Sequence, residues 1–235
     1  RPLLIGIDAR ELLGEATGVG RYLAELLARW TARPDAAGRR FVLYAPEAVP
    51  LSFPVGTVDV RLVGTGAGRG TWWEQTHLRR AARRDPLDAF FAPAYTAPIG
   101  VPAPLAVTIH DISFVAHPEW FRAREGLRRR LLTRRAAHAA AVVFTDSRFS
   151  RSELETRLGV DPSRIVVIPP GVTNRKPRGH ALSPREPVVL FVGSLFNRRR
   201  LPDLIAAFAR ATTDLPAARL IIVGGDRTWP PQDLP

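Results

Sequence analysis

Three stretches of the sequence place groups fit for chemistry just behind an apolar run. In the first, Thr17-Gly18-Val19-Gly20 leads into a helical pattern. Glycines there let a ligand approach the backbone, and the first amides of a helix favour an anion. The G-x-G spacing falls short of the full dinucleotide fingerprint, so a plain tight loop reads as well. In the second, His110-Asp111 follows the apolar run Leu105–Ile109. The imidazole is placed to bond a hydroxyl or to stabilise charge. The plainer alternative is a histidine bonded to nearby backbone, with Asp111 capping a turn. In the third, Gly193-Ser194 follows Val188–Val192, and Arg198, Arg199 and Arg200 stand at the entry to a helix. Guanidinium forks match phosphate oxygens, and like charges packed at a positive helix end call for an anion, a diphosphate above all. A solvated basic turn competes with that reading.

Two further motifs are less decided. Trp72-Trp73-Glu74-Gln75 opens a helical pattern. Its paired indoles fit a sugar-lined cleft or, preferred here, core and packing between domains. The stretch Arg122 to Arg135 holds seven arginines, with Leu127, Leu131, Leu132 and Ala136 at helical spacing. Such a face fits an anionic membrane surface or simply water. Nucleic acid fits less well, because no recognised module or aromatic interleaving is present. His77, His117, His138 and His180 lack a place behind a strand and read as surface or packing residues. The sequence has no Asp-x-Asp pair, no His-x-x-x-His, no serine nucleophile elbow and no cysteine. No metal cluster, disulfide or thiol chemistry is therefore expected.

The elements that must position these groups alternate. Strand-like runs are Leu3–Ile7, Phe41–Ala45, Val58–Leu62, Ala89–Ala92, Leu105–Ile109, Val142–Thr145 and Ile165–Ile168. Helices are expected over 19–30, 71–84, 125–140 and 149–158, the last opened by a capping box at Ser150-x-x-Glu153. This alternation implies a parallel α/β sheet. A proline-rich segment breaks the pattern, and a linker is placed at 171–186. A first domain then spans 1–170 and a second runs from 187 to 235. The second holds strand Val188–Val192, a helix with Leu201, Leu204, Ile205 and Phe208 on one face, and strand Arg219–Val223. A strand–helix–strand of this size does not close a core alone, so the second domain is expected to be truncated. The 235 residues are 46% hydrophobic, enough for a proper core. No apolar run reaches the ~18 residues of a membrane span, and no signal peptide is seen at Arg1, so a cytoplasmic location is expected. The net charge is +12, and among the basic residues only Lys176 is lysine. That balance suits an anionic partner.

Taken in order, the blocks G-V-G-R-Y, W-W-E-Q, T-I-H-D-I-S-F with H-P-E-W-F, T-D-S-R-F-S-R-S-E-L, I-P-P-G-V and V-G-S-L-F-N-R-R-R-L-P-D-L-I-A-A-F resemble family 4 of the glycosyltransferases. The similarity is to the bacterial group that builds O-antigen, capsule and other surface polysaccharides, its mannosyltransferases included. What the resemblance implies is a GT-B fold of two Rossmann-like domains with parallel sheets, the first binding acceptor and the second a nucleotide-diphosphate-sugar donor. It implies a retaining hexosyltransferase that needs no metal or cofactor and acts on a glycan or lipid-linked acceptor, in contact with the inner membrane face. Gly18 and Gly20 then match the loop approaching the donor. His110 matches the histidine near the transferred sugar, the catalytic position. Gly193, Ser194, Arg198 and Arg199 match the donor-binding turn, where Arg199 replaces the family's lysine. The family's Glu-x7-Glu segment would lie beyond Gly225 and is not in this sequence. On that reading the fragment is inactive or weakly active.

Two other readings stay open at this level. One is a non-catalytic acceptor- or membrane-binding module made of the first domain. The other is a nucleotide-sugar epimerase of the same fold, for which the H-P-E-W-F and R-F-S blocks give little support.

Overall fold

A computed structural model describes residues 1–14, 17–50, 56–172 and 187–231. The chain divides into two compact units. The first comprises Arg1–Ile112 and Arg128–Gly171, the second Ser113–Leu127 and Val172–Pro235. From residue 173 the expected linker lies outside the described residues.

The elements of the chain run β1 (Leu3–Asp8), α1 (Gly18–Thr31), β2 (Arg39–Ala45), β3 (Val58–Leu62), α2 (Thr71–Trp73), a π-helical turn (Glu74–Leu78), α3 (Arg79–Arg84), β4 (Ala89–Ala92), β5 (Leu105–Thr108), α4 (Ser113–Ala116), α5 (Ala123–Ala139), β6 (Val142–Thr145), α6 (Arg148–Leu158), β7 (Ile165–Val167), β8 (Val188–Val192), α7 (Leu201–Ala211) and β9 (Arg219–Val223).

In the first unit, seven strands form one parallel sheet in the order β3-β2-β1-β4-β5-β6-β7. Its inner strands are covered on both faces, which is why they read as apolar runs, whereas the edge strand β3 alternates and is largely exposed. β2 shows this directly: Phe41 to Ala45 are all buried. α1 lies on one face because its apolar residues recur every three or four positions, and Leu23 and Leu27 are fully buried against Ile7, Phe41, Leu43 and Phe91. Burying each of these leucines is worth about 2 kcal/mol. Trp30 closes the far end of that layer, stacked on Phe41 at 5.7 Å.

Thr17 starts α1, its side chain accepting from the Gly20 amide at 2.9 Å. α6 differs from the sequence expectation. Its N-cap is Ser147, whose side chain accepts from the Ser150 amide at 3.1 Å, so Ser150 lies inside the first turn rather than capping it. Gly159, at φ 66, ends the helix in the left-handed conformation that glycine tolerates. The helix expected over 71–84 is continuous but contains the π turn, a one-residue register change that often accompanies functional positions.

The second unit carries a two-stranded parallel sheet, β8 beside β9, with α7 between them in sequence. The segment 113–127 belongs to this unit and brings the ring pairs Phe114–Phe121 and His117–Trp120 into it.

Candidate active site

In a parallel sheet, ligands collect beyond the carboxyl ends of the strands, at the point where the strand order reverses. Here the chain leaves β1 toward β2 on one side, while β4 leads to β5 on the other. The crevice is therefore set between the loops that follow β1 and β4. His110 follows β5, next along the sheet.

His110 is anchored through both of its ring nitrogens. Nδ1 lies 2.8 Å from Asp146 Oδ2 and Nε2 lies 3.2 Å from the Pro93 carbonyl oxygen. The Ser150 hydroxyl donates to the His110 carbonyl at 3.0 Å, tying the first turn of α6 to the end of β5. Tyr22 from α1 meets the imidazole in a T-shaped contact at 5.1 Å, and Tyr95 does the same at 5.7 Å. The Tyr22 hydroxyl bonds Thr108 Oγ1 at 3.1 Å, and burial pushes its pKa up. Residues from the ends of β4, β5 and β6 and from helices α1 and α6 thus converge on one ring.

Tyr95 sits at φ 60, a left-handed conformation that is costly for a bulky side chain. It is held by its amide donating to Thr108 O at 2.8 Å and its hydroxyl donating to Asp111 Oδ2 at 3.3 Å. The next residue fixes the loop more deeply, since Thr96 Oγ1 donates to Glu74 Oε2 at 2.7 Å.

Glu74 belongs to a buried ionic cluster at the end of β1. Arg10 Nη2 lies 2.5 Å from Glu74 Oε2 and 3.0 Å from Asp8 Oδ2, with all three side chains under 10% exposed. Burial pushes the Asp8 carboxyl up to about 6; Arg10 pulls against that and Glu74 adds to it. Desolvation opposes the charge on Arg10, yet Asp8 and Glu74 together outweigh it and hold its pKa above the ordinary range. Gln75 extends the cluster by donating to Glu74 Oε1 at 2.9 Å and to Ala97 O at 3.1 Å, and by accepting from the Ile99 amide. The W-W-E-Q block is thereby explained without a sugar-facing role for Trp73, which is fully buried and donates to Val63 O. Trp72, in contrast, is 72% exposed.

The glycines of the first loop divide. The Gly20 amide is engaged by Thr17, and a Cβ on Gly20 would lie 2.4 Å from Glu11 O, so close backbone packing requires glycine there. A Cβ on Gly18 would meet nothing within 4 Å. In the second unit, the turns after β8 and β9 are zipped together by Leu195 N to Gly225 O and Arg227 N to Leu195 O. Gly193 stands at φ 150, and a Cβ on Gly224 would lie 1.9 Å from its carbonyl oxygen. Ser194 and Leu195 continue that turn, with Leu195 buried. Arg198 stacks over Phe196 at 4.5 Å and donates to Ser113 Oγ at 3.2 Å. Arg199 is exposed, its guanidinium 3.7 Å from the Cβ position of Gly193. Arg200 turns away at φ 53 to pair with Asp203. Gly18, Gly20 and His110 thus belong to the first unit, and Gly193, Ser194, Arg198 and Arg199 to the second.

Asp146 was not singled out in the sequence, although T-D-S stands behind β6 just as H-D stands behind β5. The same rule of looking past each strand end would have found it. Among the described residues, no group of three or more His, Cys, Asp or Glu is arranged to hold a metal ion, and no helix is long and apolar enough to cross a membrane. An apolar cleft of about 370 Å³ lies against Ile5, Trp30, Phe41, Phe91 and Phe144. Its two arginines, Arg33 and Arg39, are both engaged by Asp35, which leaves no free group there for chemistry.

A parallel sheet with polar groups gathered at its switch point is an α/β architecture suited to binding a ligand there. Residues 16–175 match Glycosyltransferase Family 4, more than half of the sequence, and the chain belongs to that family. No curated protein sequence matches it. Among solved structures it is similar to HepE from Anabaena, determined in complex with UDP and glucose. There the identity is 13% and the TM-score 0.52, over 95% of this chain and 70% of HepE. It is also similar to the lipopolysaccharide outer core galactosyltransferase WaaB in its apo form. There the identity is 12% and the TM-score 0.53, over 96% of this chain and 61% of WaaB. At those identities the likeness establishes the fold, which is α/β of the GT-B type.

Proposed function

We propose that the complete protein moves a sugar from a nucleotide-diphosphate-sugar to a glycan or lipid-linked acceptor in the synthesis of a bacterial surface polysaccharide. Family membership supports transfer as the activity. The observation that carries the site assignment is the convergence on His110, at the strand ends beside the switch point. The UDP and glucose bound to HepE and the galactosyl transfer of WaaB favour a hexosyl donor. A mannosyl donor, as in the O-antigen group, falls within the same class.

In this reading the enzyme retains anomeric configuration and uses no metal. Its work is orientation and stabilisation of the leaving diphosphate. Arg198 and Arg199 receive the diphosphate, beside the Gly193–Ser194 turn. His110 stabilises charge near the reacting carbon, and the Gly18–Gly20 loop borders the donor. Arg198, already oriented by Phe196 and Ser113, is the more preorganised of the two arginines.

The protein also rests on an anionic membrane surface from the cytoplasmic side. Leu131, 61% exposed, lies beside the exposed Arg134 and Arg135 on α5. Flotation with vesicles checks this: binding to phosphatidylglycerol vesicles and none to phosphatidylcholine vesicles is expected.

Calorimetry with a panel of nucleotide-sugars, followed by linkage and anomer analysis of the product, tests the main reading. One donor is expected to bind and to give a retained linkage. No donor binding across the panel would overturn it.

A further inference from the structure

The His110 ring is held on both sides by oxygens that only accept. Asp146 Oδ2 faces Nδ1 at 2.8 Å, and the Pro93 carbonyl faces Nε2 at 3.2 Å. A neutral imidazole carries a single N–H, so one of these contacts would set a nitrogen lone pair against an oxygen lone pair. Both are satisfied together only when each ring nitrogen carries a hydrogen.

The surroundings hold this arrangement rather than offering another. His110 and Asp146 are partly buried, their side chains 13% and 28% exposed. Asp146 stands immediately before Ser147, which caps α6, and the same turn sends Ser150 Oγ back to the His110 carbonyl. The carboxylate and the ring are therefore fixed to each other through backbone as well as directly. Tyr22 and Tyr95 also pack against the ring. Asp111 stands behind the Tyr95 hydroxyl.

We propose that Asp146 is a positioning residue that keeps His110 doubly protonated. The imidazole then serves the site as a fixed hydrogen-bond donor and positive charge, not as a base that removes a proton from the acceptor. Fixed charge of this kind favours a transition state in which negative charge develops nearby, at no cost of reorganisation. A ligand oxygen arriving at Nε2 takes over the hydrogen bond now given to Pro93. The assignment of the ring stands on the hydrogen bonds alone; its role in the reaction rests on the function proposed above.

The test uses the complete protein with nitrogen-15 label in its histidines, native and as Asp146→Asn, with His110→Gln to assign the signal. At neutral pH both ring nitrogens of native His110 are expected in the protonated shift range. In Asp146→Asn one of them moves to the bare-nitrogen range, while the melting temperature stays within a few degrees. A bare nitrogen in the native protein, or no change in Asp146→Asn, overturns the pairing. In the transfer assay Asp146→Asn is expected to lower kcat by about ten- to a hundredfold, the weight of a charge-assisted hydrogen bond, with KM within about twofold. An unchanged kcat overturns the positioning role. A protein that transfers no sugar would refute the proposed function, and the nitrogen shifts would still decide the pairing.

Discussion

The two units organise their polar groups in opposite ways. In the first, residues distant in sequence meet at the strand ends: Arg10 with Glu74, Thr96 with Glu74, and His110 with Asp146. Each rests on a sheet whose strands β1, β2, β4 and β5 bury the residues at their carboxyl ends. In the second, the polar turn is more open to water: it is shaped by the conformations of Gly193 and Gly224, by Phe196 under Arg198, and by one distant hydrogen bond, from Arg198 to Ser113. Its strands are open, with Leu190 60% and Val192 66% exposed in β8, and Val223 50% exposed in β9. A buried network has no water to repair a loss, whereas an open turn does. The first unit is therefore expected to be unforgiving and the second tolerant.

The sharpest way to break that contrast is Arg10→Met. It leaves Asp8 and Glu74 buried without their cation, and about 3–5 kcal/mol of stability should be lost at neutral pH by urea unfolding. Arg199→Met, on an exposed guanidinium, should stay within about 0.5 kcal/mol. Similar losses in the two variants would remove the distinction.

Leu27→Ala, at a fully buried position, should cost roughly 2–5 kcal/mol. Leu190→Ala, at a site 60% exposed, should cost less than about 1 kcal/mol.

The Asp8 carboxyl gives a pH signature. Its pKa rises from 3.8 to about 6 on folding, so between those values the folded chain binds more protons than the unfolded one. Its contribution is present in full below pH 3.8 and is lost as pH rises through 6, about 3 kcal/mol in all. Stability of the native protein relative to Asp8→Asn should fall by that order across the window. A constant difference would show that Asp8 titrates at its ordinary value. Smallest is the helix cap: Ser147→Ala should cost about 1 kcal/mol, read from the unfolding midpoint.

Much of the scaffold was legible because strands of a parallel sheet write themselves as short runs rich in β-branched and aromatic residues between turn signals. Val58–Leu62, Ala89–Ala92, Val142–Thr145 and Val188–Val192 carry the same bounds in sequence and structure. Ile109 and Ile168 fall just past β5 and β7, though the amide of each still bonds the neighbouring strand. The cap of α6 is ambiguous in the sequence because Ser147 and Ser150 both suit an N-terminus, and only backbone geometry separates them. The Arg10–Glu74 pair was hidden because its members lie 64 positions apart, and nothing local distinguishes a buried arginine in a chain so rich in them. The conformation of Tyr95 was hidden for a related reason. A tyrosine at φ 60 opposes local preference and is imposed by contacts with Thr108 and Asp111.

Most direct for the roles of His110 and Arg198 is sugar transfer by the complete protein, with the donor found in the nucleotide-sugar panel, comparing native with His110→Ala and Arg198→Ala. Transfer by the native protein is expected, with a loss of about a hundredfold or more in kcat for each variant and folding intact by circular dichroism. Transfer at the native rate by His110→Ala would contradict the role of His110.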